Sequence, residues 1–217
     1  VAAADDRGMT ALGFAAASGD SASATLLLDR GADIEAKGRH GVRPLLLASR
    51  GGHLEAVNVL LDRGADIDAV GGHPLGMERI ADREDGLRDG GSAFMWAARM
   101  GHVPVAKALL ERGAKPLSAK LLGLTALMWA SECGHCPMIE FLLGTGADIN
   151  AENAKGWTAI CFAANYIQFP SVRLLLDRGA RPGIAAALTR QVYESDVYPY
   201  SRQDGLSIQE ALDRAAT

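Results

Sequence analysis

Four near-identical strings recur along this chain: Asp29-Arg-Gly-Ala-Asp33, Asp62-Arg-Gly-Ala-Asp66, Glu111-Arg-Gly-Ala114 and Asp177-Arg-Gly-Ala180. Gly144-Thr-Gly-Ala-Asp148 is a close variant. Their central glycines stand at 31, 64, 113, 146 and 179, so the steps between them are 33, 49, 33 and 33 residues. One period with a single insertion of 16 residues accounts for all of them. A fixed period of this length predicts a row of small units, each leaning on its neighbours and none able to bury its apolar faces alone.

Two further signatures keep the same register. One reads Gly8-Met-Thr-Ala-Leu12, Gly41-Val-Arg-Pro-Leu45, Gly90-Gly-Ser-Ala-Phe94, Gly123-Leu-Thr-Ala-Leu127 and Gly156-Trp-Thr-Ala-Ile160. The other is Gly52-His53, Gly101-His102 and Gly134-His135, with Gly19-Asp20 as a weaker copy. The pattern resembles the ankyrin repeat, G-x-T-P-L-H-x-A-A-x-x-G-H followed by an apolar helix that ends L-L-x-x-G-A-D. The resemblance covers nearly the whole chain. It implies an all-α, ankyrin-type solenoid of stacked helix–turn–helix repeats with finger-like turns, forming a single domain over 1–217. The repeats fall at about 5–37, 38–70, 87–119, 120–152 and 153–181, with a half-repeat at 202–217 where Asp204-Gly-Leu-Ser207 resumes the pattern. Insertions occupy about 70–89 and 182–204.

Local chemistry agrees with two antiparallel helices per unit. Leu12, Phe14, Ala15 and Ala16 have helical spacing, and Thr10 stands where a side-chain oxygen caps the first turn. In the second helix Ala56, Val57, Val59, Leu60 and Leu61 are apolar nearly all round, as expected of a helix covered on both sides. Gly64 suits the left-handed residue that ends a helix. Phe14, Leu47, Trp96, Trp129 and Phe162 share one repeat position, and because their period is that of the stack they read as core. One departure stands out: the His of T-P-L-H is replaced by Gly13, Leu46, Met95, Met128 and Cys161. The polar network that the family builds on it is lost, which predicts softer junctions between finger and helix.

Composition narrows the partner. The 217 residues are 48% apolar and 22% charged, with a net charge of −4 and mixed signs throughout. Nucleic acid is not expected, since phosphate binding needs a concentrated basic face. No apolar run reaches the roughly 18 residues of a membrane helix. The opening Val-Ala-Ala-Ala-Asp-Asp says nothing about address. Three cysteines are too few for a disulfide framework, so an intracellular, cytoplasmic setting is the default expectation.

No catalytic motif is present: neither a nucleophile elbow, a phosphate loop nor HExxH. Cys133-Gly-His-Cys136 matches the C-x-x-C of disulfide oxidoreductases, but that chemistry needs a thiolate at the helix N-terminus of a strand–helix unit. Here Gly134-His135 is the repeat's own inter-helix turn. A zinc site on Cys133, His135 and Cys136 lacks a fourth ligand. No cofactor is expected. The leading reading is a non-catalytic scaffold, or a subunit of a larger assembly, that binds a protein through finger tips and a concave groove. The rivals are a redox- or metal-responsive protein using Cys133 and Cys136, and the targeting segment of a longer enzyme.

The resemblance also locates the binding surface. The family's variable finger positions flank the Gly of G-x-T, and most here are polar or small: Asp6, Arg7, Arg39, His40, Arg88, Asp89, Ala154 and Lys155. The fourth unit instead carries Leu121, Leu122 and Leu124, and the fifth Trp157. Met100 and Tyr166 match the end of the first helix, where they would line the same groove. Clustered apolar groups of this kind mark a partner site if exposed; the alternative is that the leucines pack on the finger at Lys115-Pro-Leu117. The second insertion holds Tyr193, Tyr198 and Tyr200, which either meet a partner or cover the end of the stack. The charged first insertion reads as a solvated loop that can be trimmed without loss of folding.

Overall fold

The computed structural model describes residues 4–6, 8–38, 41–71, 91–116 and 123–182. Residues 72–89 of the first insertion, Leu121, Leu122 and everything after Pro182, with Tyr193, Tyr198 and Tyr200, lie outside them. The described residues form ten helices of seven to nine residues and no strand, only isolated bridges such as Val70 with Ser92. Helices this short are marginal alone, so packing must hold them.

They fall into two compact units, residues 1–121 and 122–217. The first unit holds three pairs: α1 (Ala11–Ser18) with α2 (Ser21–Asp29), α3 (Pro44–Gly51) with α4 (Leu54–Asp62), and α5 (Ala93–Arg99) with α6 (Val103–Glu111). First helices pack on first helices, α1 on α3 and α3 on α5, while α2 packs on α4 and α4 on α6. The second unit repeats the scheme: α7 (Ala126–Glu132) pairs with α8 (Cys136–Gly144), and α9 (Ala159–Asn165) with α10 (Phe169–Asp177). There α7 lies against α9 and α8 against α10. Each unit is thus a stack of helix pairs.

Small residues set the close approach. Ala16, Ala48, Ala97, Ala98, Ala130, Ala163 and Ala164 are fully buried in the first helices. In the second helices Leu60, Leu109, Leu142 and Leu175 stand at one repeat position and are fully buried, so each fixes its helix to a neighbour. Burial of one such leucine contributes about 1.5–3 kcal/mol.

Side-chain rungs tie pair to pair within each unit. The arginine of the recurring string reaches an acid on the pair before it: Arg63 to Asp29 at 2.7 Å, Arg112 to Asp62 at 2.6 Å and Arg178 to Glu140 at 2.8 Å. A second rung explains the residue two after the finger's Asp or Asn position. Glu35 accepts from the Asp66 backbone N–H, Asp68 from Lys115 and Asn150 from Arg181, at 2.8, 3.2 and 2.8 Å. In the same turns Asp33, Asp66 and Asp148 accept from the N–H two residues on, closing the local loop. The string therefore codes both the turn and the grip on the next one.

The glycine–histidine signature has a geometric cause. Gly19, Gly52, Gly101 and Gly134 are left-handed, with φ between 74° and 77°. A Cβ on Gly19 would collide with the His53 ring, and one on Gly52 with the His102 ring. His53 Nε2 lies 3.0 Å from the Ala17 carbonyl oxygen and His102 Nε2 3.0 Å from that of Arg50. A carbonyl can only accept, so both rings carry their proton on Nε2. The glycine of one pair makes room for the next pair's histidine.

Candidate functional site

In the second unit the fingers are built from backbone hydrogen bonds and one asparagine. The Asn153 N–H donates to the Trp157 carbonyl oxygen at 2.9 Å. Its side-chain oxygen accepts from the N–H of both Lys155 and Trp157, each at 2.9 Å. That turn holds Trp157 at the base of the finger, directly ahead of α9. The preceding finger lies alongside: a Cβ on Gly123 would come within 3.2 Å of the Asn153 Cα. Gly123 is left-handed, with φ 69°, and immediately precedes half-buried Leu124.

Trp157 is half-buried and meets Phe162 of α9 edge to face, with ring centroids 5.4 Å apart and planes at 68°. That geometry suits the opposed charge of ring face and edge. Phe162 is itself half-buried. Tyr166 ends α9 as its C-terminal cap and is 42% exposed. Next to it Ile167 has φ 59°, the one described non-glycine residue in the left-handed region. It stands where Gly134 stands one repeat earlier, and a β-branched side chain there is strained. Gln168 then occupies the histidine position, its carboxamide packed against Gly134. The changed residue types hide this pair from the glycine–histidine signature; counting 33 residues on from Gly134-His135 finds it.

Leu124, Trp157 and Tyr166 thus belong to one unit, on neighbouring fingers and the first helix. Met100 caps α5 in the other unit and is half-buried. Leu121, Leu122, Tyr193, Tyr198 and Tyr200 lie outside the described residues.

The row expected to be core is core only in part. Trp96 and Trp129 are buried, at 3% and 6% exposure, but Leu47 and Phe162 are half-buried and Phe14 is 53% exposed. The difference lies in what crosses each side chain. Trp96 Nε1 donates to the Gly71 carbonyl oxygen at 3.2 Å, and the Arg50 guanidinium sits 5.9 Å from its ring centroid. Phe14, in the first pair, has no such cover.

The missing histidines are partly replaced by sulfur. The Thr125 N–H donates to the Met128 Sδ at 3.4 Å while Thr125 Oγ1 accepts from the Met128 N–H at 3.2 Å, a reciprocal cap. Thr158 Oγ1 lies 3.4 Å from the Cys161 Sγ. Sulfur is a weak acceptor, so these junctions keep their geometry with less polar strength.

Cys133 caps the end of α7 and Cys136 opens α8, on either side of the turn. Neither is in a disulfide, both are partly exposed, and the Cys136 Sγ lies 3.6 Å from the Ser171 Oγ. Among the described residues no three His, Cys, Asp or Glu side chains are placed to hold a metal ion. No described helix is long and apolar enough to cross a membrane.

Comparison with known proteins accords with this architecture. A family model for ankyrin repeats in three copies matches residues 2–70, 75–153 and 94–186. Among solved structures, the human ASB11 ankyrin repeat domain is similar, with a TM-score of 0.73 and 21% identity over 96% of this chain and 84% of that one. At that identity the likeness shows fold alone. No curated protein sequence matches the chain. With most of its length matched by the family model, the chain belongs to the ankyrin repeat proteins.

Proposed function

We propose that this chain, a non-catalytic ankyrin-repeat scaffold for protein–protein interaction, takes its partner on the fingers and first helices of the second unit. The observation that carries the reading is half-buried Trp157 set edge to face on Phe162, with exposed Tyr166 at the end of the same helix. Large apolar rings with polar tips are what protein interfaces favour at their centre. The strain at Ile167 adds weight, because such backbone persists where a neighbouring side chain must be aimed. Here the neighbour is Tyr166. Leu121, Leu122 and the three tyrosines of the second insertion extend the proposed surface on sequence grounds. Met100, expected on the same surface from its repeat position, lies in the first unit.

The partner on this reading is a protein segment with an apolar ridge, and not nucleic acid, given the net charge of −4. Cys133, Cys136 and Cys161, none of them in a disulfide, accord with a reducing, intracellular compartment. Affinity capture with the intact chain beside Trp157→Ala/Tyr166→Ala tests the site. The double variant is expected to weaken capture at least tenfold while the melting temperature stays nearly unchanged. Unchanged capture would move the interface elsewhere, and a collapsed melting temperature would return these rings to the core.

A further inference from the structure

The finger that carries Trp157 is closed by an oxygen and leaves a donor over. Asn153 Oδ1 accepts from the N–H groups of Lys155 and Trp157, each at 2.9 Å. Both partners are donors, so the carboxamide meets them with its oxygen and Nδ2 takes the other side of the group. The Nδ2 protons find no acceptor among the described residues. Asn153 is half-buried, and unlike the unpartnered hydroxyls of Ser49 and Ser131 this nitrogen is not sealed from solvent.

The turn does not need that donor. In the first finger Asp5 makes the same closure with a carboxylate. It accepts from the Met9 N–H at 2.7 Å, and its own N–H donates to the Met9 carbonyl oxygen at 3.0 Å. In the second finger Gly38 has no side chain, and its N–H still donates to the Val42 carbonyl oxygen at 2.8 Å. The amide half of Asn153 is therefore surplus to the fold. It is also held in place, because the oxygen of the same group is fixed on the Trp157 backbone. The preceding finger presses on it as well, since a Cβ on Gly123 would come within 3.2 Å of the Asn153 Cα.

We infer that Asn153 Nδ2 is a recognition contact of the docking surface proposed above, on which this inference rests. It donates to a main-chain carbonyl oxygen of the partner segment whose apolar side chain meets Trp157. A carbonyl and a carboxylate both accept from an amide, but the finger's charges favour the neutral one. Glu152 and Lys155 lie on either side of Asn153 in the chain with opposite signs. A main-chain contact fixes where an extended segment lies and leaves the choice of side chain to the rings.

The probe is a peptide selected from a random display library on the intact chain and lost on Trp157→Ala/Tyr166→Ala. Asn153→Asp keeps the oxygen that closes the turn, as Asp5 does, and removes the donor. It is expected to melt with the parent and to bind the peptide about tenfold more weakly, the effect of leaving one carbonyl unpaired. In the parent, the Asn153 side-chain amide resonances are expected to move on adding peptide, and their protons to exchange more slowly with solvent. Unmoved resonances overturn the inference even if Asn153→Asp binds weakly, since the new charge acts at a distance. Equal binding by Asn153→Asp also overturns it, while the docking surface stands. Failure to select any peptide that depends on Trp157 and Tyr166 overturns both. Binding that falls steeply with salt, and falls again on Lys155→Ala, means that a carboxylate sits there and overturns the carbonyl assignment. Should Asn153→Asp melt below the parent, the amide resonances of the parent decide.

Discussion

The His102 ring lies over Gly52 and donates from Nε2 to the Arg50 carbonyl oxygen, 3.0 Å away. One side chain therefore fills the space left by a missing Cβ and satisfies an orphan carbonyl at a helix end. Gly52→Ala is expected to destabilise for two reasons, a left-handed backbone and a clash with the ring. The left-handed cost alone is about 1–2 kcal/mol. Adding His102→Ala removes the clash, so the double variant is expected to lose less than the sum of the singles. Urea unfolding of the four chains measures the coupling; strict additivity would mean that the ring does not touch the turn.

Ile167 offers a cleaner measure of backbone strain. Ile167→Ala and Ile167→Gly discard nearly the same side-chain contacts, but only glycine relaxes at φ 59°. The glycine variant is expected to be more stable than the alanine variant by about 1 kcal/mol, the reverse of their order inside a helix. If the strain also aims Tyr166, partner capture by the glycine variant falls even though its fold is sound.

The cysteine pair is expected to be dispensable. Cys133→Ser with Cys136→Ser leaves the helix–turn–helix intact, since serine keeps the size and the polar contact to Ser171. Circular dichroism and partner capture are expected to match the parent. A loss of capture in the doubly substituted chain, with the spectrum unchanged, would restore a thiol function.

Asp20 caps α2, accepting from the Ser23 N–H at 2.9 Å. Hydrogen bonds from the Ser23 side chain and then its backbone hold the carboxyl below the ordinary carboxylate range. A depressed folded-state pKa means stability that is complete above the unfolded value and lost as pH falls through the folded one. The Asp20→Asn variant is therefore expected to melt below the parent at neutral pH and level with it in strong acid. Melting curves across that range check the sign.

Much of this architecture was legible because the signatures specify backbone geometry as well as chemistry. The glycines mark left-handed turns, Asp33, Asp66 and Asp148 close their loops, and Arg63, Arg112 and Arg178 each reach an acid on the pair before. Where residue type changed but geometry did not, the pattern was hidden. Ile167-Gln168 keeps the turn of Gly134-His135 without either residue, and Met128 and Cys161 stand in for histidine with sulfur. The candidate site was legible as positions and not as surfaces. Phe14 and Trp96 share a register position, but Trp96 is crossed by the Gly71 carbonyl and Arg50 while Phe14 is open. Periodicity tells where a side chain sits in its repeat; it does not tell what lies across it.

The rungs between helix pairs also set how the chain is assembled. Among the described residues, side-chain hydrogen bonds that reach beyond a single turn include pairs 25 apart, Trp96 to Gly71, and 54 apart, Arg112 to Asn58. Contacts this local close quickly and need no distant segment to be in place. On a translating ribosome each helix pair within a unit therefore meets the groups that hold it once some fifty further residues have emerged, and each unit locks in order from its first pair to its last.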